Sequence, residues 1–239
     1  TLAVEGLDRT GTDVIVRLER PDDDIRTQVL QRRRPSWTIP PPQARPTFPW
    51  SYVPIGVEHV LLGLDHLLIV LALVWLTAGH VGPLLGSLTA FTLGHSLTLI
   101  GITLLPALQP PSASVEAWIA LTLLAAALEM DRHDPRKGPA EGQRSHLFWG
   151  AFAVGLLHGL GFAGALAQLG WPDEARVWAV LLFNLGVEVG QIGVVAGLLV
   201  LARGLGGWVP EPWIKLPVYL TGALGAFWTF QRALAIVMG

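Results

Sequence analysis

The chain has 239 residues, of which 51% are hydrophobic and 14% charged, whereas a soluble domain usually carries about 25% charged residues. Its net charge of -2 excludes the basic surface that nucleic acid binding requires. The absence of cysteine excludes disulfides, thiolate chemistry and cysteine-based zinc sites, and two methionines are too few for a methionine-lined copper path. This composition predicts an integral membrane protein.

The first 50 residues differ from the rest. Residues 14–20 and 27–31 are predicted as short strands, separated by a turn-prone stretch at 21–24. The prolines between 40 and 46 indicate a stiff linker. We expect residues 1–50 to form a short β-rich segment outside the membrane, the tail of a β-sandwich-like domain. Because no initiator methionine is present, we also expect a mature product whose leader was removed.

The remainder, residues 51–239, is predicted to form an all-α transmembrane domain. About 20 apolar residues span a bilayer, and runs this long and uniformly apolar favour helices over barrel strands. Six such runs occur, at about 53–77, 83–106, 113–130, 146–170, 175–202 and 213–236.

Loop charges predict the orientation. The loop at 131–145 carries four basic residues, and the connection between the fifth and sixth runs is flanked by Arg203 and Lys215. The loop near 107–112 has none. Since basic loops stay in the cytoplasm, both termini are expected outside, in a bacterial inner membrane.

The chain also contains an internal repeat. At an offset of 92 positions, residues 63–68 align with 155–160 and residues 91–96 align with 183–188. Each repeat, at about 53–130 and 146–236, would contain three helices, so the two copies would be inverted. Inverted repeats are a recurring architecture of secondary transporters, with the substrate site at the repeat interface.

Polar side chains occur inside the predicted spans, where an ionisable group costs several kcal/mol and usually faces a protein interior or a water-filled cavity. They are Glu58, His59, Asp65, His66, His95, Ser96, Glu116, His158, Asn184, Glu188 and Gln191. One histidine alone would favour a simple hydrogen bond between helices. Three near the middle of their spans, together with a carboxylate, favour a metal or proton site.

Spacing divides these residues into layers. In an unbroken helix His59 and His66 lie two turns, roughly 10 Å, apart, which predicts an entry ligand and a deeper ligand. His66, His95, His158 and Glu188 are predicted to converge near the midplane. Imidazole with carboxylate suits nickel, zinc, cobalt or iron(II).

The other polar residues are predicted to support this centre. Asp65 or Ser96 could orient an imidazole through its second nitrogen. Asn184 and Gln191 share one helix stripe with Glu188. Glu58 and Glu116 are expected near the outer entrance.

Four long motifs, at residues 58–68, 91–99, 155–163 and 183–191, resemble the HupE/UreJ family of bacterial membrane proteins. The resemblance covers about residues 50–236, and the segment ahead of the first helix resembles the larger branch of that family. It implies a secondary permease that supplies nickel to hydrogenase or urease. The motif residues at matching positions are His59, Asp65, His66, His95, His158 and Glu188.

Three functions remain open from the sequence. The leading hypothesis is a gradient-driven permease for a divalent metal ion, most readily nickel, with zinc or cobalt as alternatives and no catalytic residues. The second is an intramembrane zinc hydrolase, in which three histidines hold the metal and Asp65 or Glu188 is the base. The third is a proton or small-molecule channel with a histidine relay. The expected partners are the lipid bilayer and the metal ion, and assembly into a homo-oligomer is left open.

Overall fold

A computed structural model describes residues 2–3, 14–19, 25–30, 36–37, 49–168, 176–205 and 211–238. The chain forms two compact units, Thr1–Arg45 and Pro46–Gly239.

The described part of the first unit consists of two antiparallel strand pairs. Strand β1 (Leu2–Ala3) pairs with β4 (Ser36–Trp37), and β2 (Val14–Glu19) pairs with β3 (Ile25–Leu30). The second pair is a hairpin in register from Val14 opposite Leu30 to Glu19 opposite Ile25. These strands correspond to the runs predicted at 14–20 and 27–31. The predicted proline linker lies outside the described residues, and the sandwich-like domain and its extracytoplasmic location stay predictions.

The second unit is helical. In chain order its helices are α1 (Tyr52–Leu62), α2 (Leu64–Leu76), α3 (Val81–Leu104), α4 (Ser112–Arg132), α5 (Glu141–Gln168), α6 (Arg176–Leu205), α7 (Glu211–Ile214) and α8 (Leu216–Met238). Among the described residues, α3, α4, α5, α6 and α8 are long and apolar enough to cross a membrane, and α1 with α2 adds a sixth span if the two are counted as one. The chain is an integral membrane protein.

The prediction of one continuous helix over 53–77 is wrong. The helix breaks at Gly63, and α1 and α2 meet at 75°. Gly63 leaves the helical region, with φ of -79° and ψ of 100°. Its N–H still donates to the carbonyl of His59 and its carbonyl accepts from Leu67, at 2.9 and 3.0 Å. The bend therefore leaves neither polar group of Gly63 unpaired, as an apolar environment requires.

Helices far apart in sequence form the principal contacts of the bundle: α1 packs against α6, α3 against α5, and α4 against α8. Close approach of α3 and α5 depends on glycine, because a Cβ at Gly94 would collide with the carbonyl oxygen of Phe152 and one at Gly155 with that of Phe91. Phe91 is fully buried at this crossing. Small residues of this kind let two helix backbones approach within a membrane.

We expect Gly155→Ala to lower the free energy of unfolding by about 1–3 kcal/mol, because the added methyl group meets backbone atoms that cannot rotate away. Gly150→Ala on the same helix is the matched control, since a Cβ there meets nothing within 4 Å. Alanine has the higher helix propensity, so the control variant should be equal to the wild type or more stable by up to about 1 kcal/mol. Unfolding of the two purified variants in detergent measures the difference, and equal midpoints would contradict the crossing described above.

Candidate metal centre

Four helices bring the predicted ligands together. His59 lies near the end of α1, Asp65 and His66 in the first turn of α2, His95 on α3 and His158 on α5. His66, His95 and His158 are buried.

The separation of about 10 Å predicted for His59 and His66 is wrong, because it assumed an unbroken helix. The ring centroids of these two residues lie 4.5 Å apart. The bend at Gly63 brings the imidazole of His59 beside that of His66. The residues expected in separate outer and inner layers therefore form one cluster.

The cluster contains two overlapping triads that share His66. Ligand atoms of His59, His66 and His95 lie within 4.8 Å of one another, as do those of Asp65, His66 and His158. Across the second triad, His158 Nε2 and Asp65 Oδ2 are 3.8 Å apart. Two ligands each about 2.0–2.2 Å from one ion can be up to about 4.4 Å apart, so one ion can contact both.

Hydrogen bonds fix the tautomers of three imidazoles. His158 Nδ1 lies 3.0 Å from the backbone carbonyl of Val154, which can only accept, so Nδ1 carries the hydrogen. His95 Nδ1 lies 2.8 Å from Oδ1 of Asn184, whose amide nitrogen donates to Val180, so this bond also needs an Nδ1–H.

The third imidazole follows the same rule. His66 Nδ1 lies 3.1 Å from Asp65 Oδ1, and an ionised carboxylate only accepts. In all three residues Nδ1 carries a hydrogen, so in the neutral imidazole the lone pair on Nε2 remains free to bind a metal. Such outer hydrogen bonds are the usual means of orienting a metal-binding histidine.

The free nitrogens have no alternative partner. The Nε2 atoms of His59, His66, His95 and His158 are all buried and make no hydrogen bond in the described part of the chain. A buried polar atom without a partner costs free energy comparable to a lost hydrogen bond, and four in one place are unusual. A cation bound in either triad would give the imidazoles of that triad a partner.

Aromatic rings line the cluster. The ring of Phe162 lies 3.9 Å from that of His59, and the ring of Phe91 lies 5.2 Å from that of His158, centroid to centroid. Phe183 stacks at 6.1 Å against His95. These rings pack against the imidazoles, whereas Asp65 lines a cavity.

Not every predicted residue joins the cluster. Glu188 Oε1 accepts from the hydroxyl of Thr89 at 2.7 Å, and Glu188 belongs to neither triad. The hydroxyl of Ser96 donates to the carbonyl of Thr92 on its own helix at 2.7 Å, so it orients no imidazole. Glu58 is exposed on α1.

Two threonines were not predicted. Thr89 and Thr92 on α3 contact Glu188 and Gln191 on α6. Together with His95 they form an i, i+3, i+6 series, and this spacing on one helix face could have identified them.

Two cavities approach the cluster from opposite ends of α4. One, of about 380 Å³, is lined by Asp65, by the ion pair of Glu116 with Arg232, and by the N-terminal half of α4. The other, of about 500 Å³, is lined by the C-terminal half of α4 and reaches Ile69 and Val154. Val154 supplies the carbonyl that holds His158, so both cavities reach residues of the centre or their direct supports.

Comparison with known proteins gives one family. The family described as HupE / UreJ protein matches residues 38–232. No curated protein sequence and no solved structure gives a significant match. Because the family match covers most of the chain, the protein belongs to the HupE/UreJ family, and membership implies a metal-permease-like role in a membrane.

Proposed function

We propose that this protein is a secondary permease for a divalent transition-metal ion, nickel, bound by the Nε2 atoms of His66, His95 and His158 together with Asp65 and His59. The observation that carries the proposal is the set of four buried, unpartnered Nε2 atoms beside one carboxylate, between two cavities. Ligands must be deprotonated to bind a metal, and in a neutral imidazole the hydrogen bond donated by Nδ1 keeps the one ring proton away from Nε2.

The donor set alone does not rank nickel, cobalt and zinc, since imidazole and carboxylate donors suit all three ions. The family's link to nickel supply then favours nickel as the substrate.

The cavities suggest the route. An ion would enter beside Glu116 and Asp65, bind at the centre, and leave past Val154 towards the loop between α4 and α5. From the loop charges we expect that loop in the cytoplasm and both termini outside the inner membrane. The motion of the helices would open one cavity while closing the other.

The helix pairing supports an inverted repeat as the basis of that motion. Exchanging the two halves relates the first span to α5, α3 to α6, and α4 to α8. The contact of α1 with α6 then corresponds to that of α5 with α3, and the contact of α4 with α8 corresponds to itself. In such transporters one repeat rocks against the other around a central site.

We expect His158→Ala to weaken nickel binding by about 100-fold or more, since it removes a ligand where outer hydrogen bonds alone are worth 10–100-fold. The measurement is calorimetric titration of the purified protein with nickel chloride. His146→Ala is the matched control, because His146 lies on the same helix but is exposed. Equal affinities in the two variants would rule out His158 as a ligand.

The bend at Gly63 offers a second test of the centre. A Cβ at this position would lie 2.8 Å from the carbonyl oxygen of His59, 2.9 Å from His66 Nδ1 and 3.0 Å from Asp65 Oδ1. Only glycine therefore lets the chain turn here with the carboxylate bound to the imidazole.

We expect Gly63→Ala to lower nickel affinity by about 10–100-fold, the range for disturbing a ligand's outer hydrogen bond. Gly82→Ala on α3, where a Cβ meets nothing within 4 Å, should bind nickel like the wild type. The same titration measures both. If Gly63→Ala bound nickel as tightly as the Gly82→Ala control, the bend would not be required for the site.

Proteoliposomes test transport itself. Wild-type protein should admit nickel to a vesicle-enclosed metal-sensitive dye without ATP, and His66→Ala should reduce the rate to that of empty vesicles because the shared ligand of both triads is lost. Gly82→Ala, which lies outside both cavities, should transport at the wild-type rate. Tightly held stoichiometric zinc with no uptake would instead favour the hydrolase, and metal-independent proton flux would favour the channel.

A further inference from the structure

The seam between α3 and α6 contains a second group of polar side chains, distinct from the imidazole cluster. Thr89 Oγ1 donates to Glu188 Oε1 at 2.7 Å, and Thr92 Oγ1 lies 3.1 Å from Gln191 Oε1. The two threonines are three residues apart on α3, and Glu188 and Gln191 are three apart on α6. All four side chains therefore share one interface.

Glu188 has no countercharge there. Across the described residues no cationic side chain pairs with it, and its second oxygen, Oε2, is buried without a hydrogen-bond partner. It lies near the middle of a membrane-spanning helix. An ionised carboxylate in that position costs several kcal/mol unless a cation or a proton neutralises it.

Gln191 indicates where the neutralising group lies. It is 1% exposed, and its Nε2 has no partner. The Thr92 hydroxyl has one hydrogen but two acceptors within reach, Leu88 O at 3.2 Å and Gln191 Oε1.

Oxygen and nitrogen of a carboxamide occupy nearly equivalent positions, so the group can be turned by 180°. The turn gives Nε2 a partner and leaves the Thr92 hydroxyl with one acceptor. Nε2 then donates to Thr92, whose hydroxyl donates to Leu88. Gln191 Oε1 is left as a buried acceptor on the same interface as the free oxygen of Glu188.

We propose that Glu188, Gln191 and Thr89 bind a small monovalent cation, sodium, at this seam. All available donors are oxygens, which suit a hard cation and not the nickel of the imidazole centre. One carboxylate neutralises one positive charge, whereas a divalent ion would leave a net charge in a medium of low dielectric.

The sodium site is connected to the metal centre through α6. Asn184, on the same stripe of α6 as Glu188 and Gln191, holds the Nδ1 of His95. A cation bridging this seam would fix α6 relative to α3 and with it the orientation of His95. This coupling rests on the proposed permease function, whereas sodium binding itself does not.

Binding of radioactive sodium to the purified protein at pH 8, in a potassium buffer, tests the site. Wild-type protein should show saturable binding at one ion per chain, and Glu188→Gln should weaken it by at least about tenfold, equivalent to 1.4 kcal/mol. Gln191→Leu should weaken it as well. Glu141→Gln, which removes an exposed carboxylate from the start of α5, should bind sodium as the wild type does.

Failure of this proposal can be distinguished from failure of the permease proposal. His66→Ala should lose nickel binding and keep sodium binding. If sodium at the seam orients His95, nickel affinity of the wild type should depend on the sodium concentration, and that of Glu188→Gln should not. No saturable sodium binding by the wild type, as expected if Glu188 is simply protonated, would overturn the site. So would unchanged binding by both Glu188→Gln and Gln191→Leu, each confirmed as monodisperse by gel filtration.

Discussion

The centre depends on one local departure from helical geometry, the bend at Gly63. A membrane helix can break only if its freed backbone groups find other partners. At Gly63 they do so within a single turn, through His59 and Leu67. The 75° turn places two imidazoles from one sequence segment side by side, where a regular helix would hold them two turns apart. It also positions Asp65 between His66 and His158.

Around this bend the bundle is built by close helix crossings. Glycines on α3 and α5 allow the backbones to approach until His95 and His158 face the start of α2. Phenylalanine rings then close the space around the imidazoles. The result is a set of polar atoms that are shielded from lipid yet have no internal partner. Buried polar atoms without partners cost free energy unless a ligand supplies those partners. This cost favours a binding site over structural packing as the explanation of the cluster.

Much of this was predictable from the sequence. Uniform apolar runs located the membrane helices within a few residues, because the thickness of the bilayer fixes the length of a span. His66, His95 and His158 were predicted to converge: His66 shares one triad with His95 and the other with His158, and metal binding by these residues stays a prediction. The bend was not predicted, because a single glycine in an apolar run is ordinarily tolerated within a helix. Glu188 was predicted to converge with these histidines but instead contacts Thr89, since helix spacing gives a residue's face but not which neighbouring helix that face meets.

The three oriented imidazoles have different hydrogen-bond acceptors behind them. A carboxylate accepts from His66, a side-chain carboxamide from His95 and a backbone carbonyl from His158. A charged acceptor pulls harder on the Nδ1 hydrogen than a neutral one, which makes the opposite nitrogen a stronger electron donor. Under the proposed function, the three ligand bonds to an ion would therefore be graded in strength, with the strongest at His66, the residue common to both triads. An ion passing through would exchange the weaker bonds first and pivot on His66, so that its coordination shell is replaced stepwise and never lost at once.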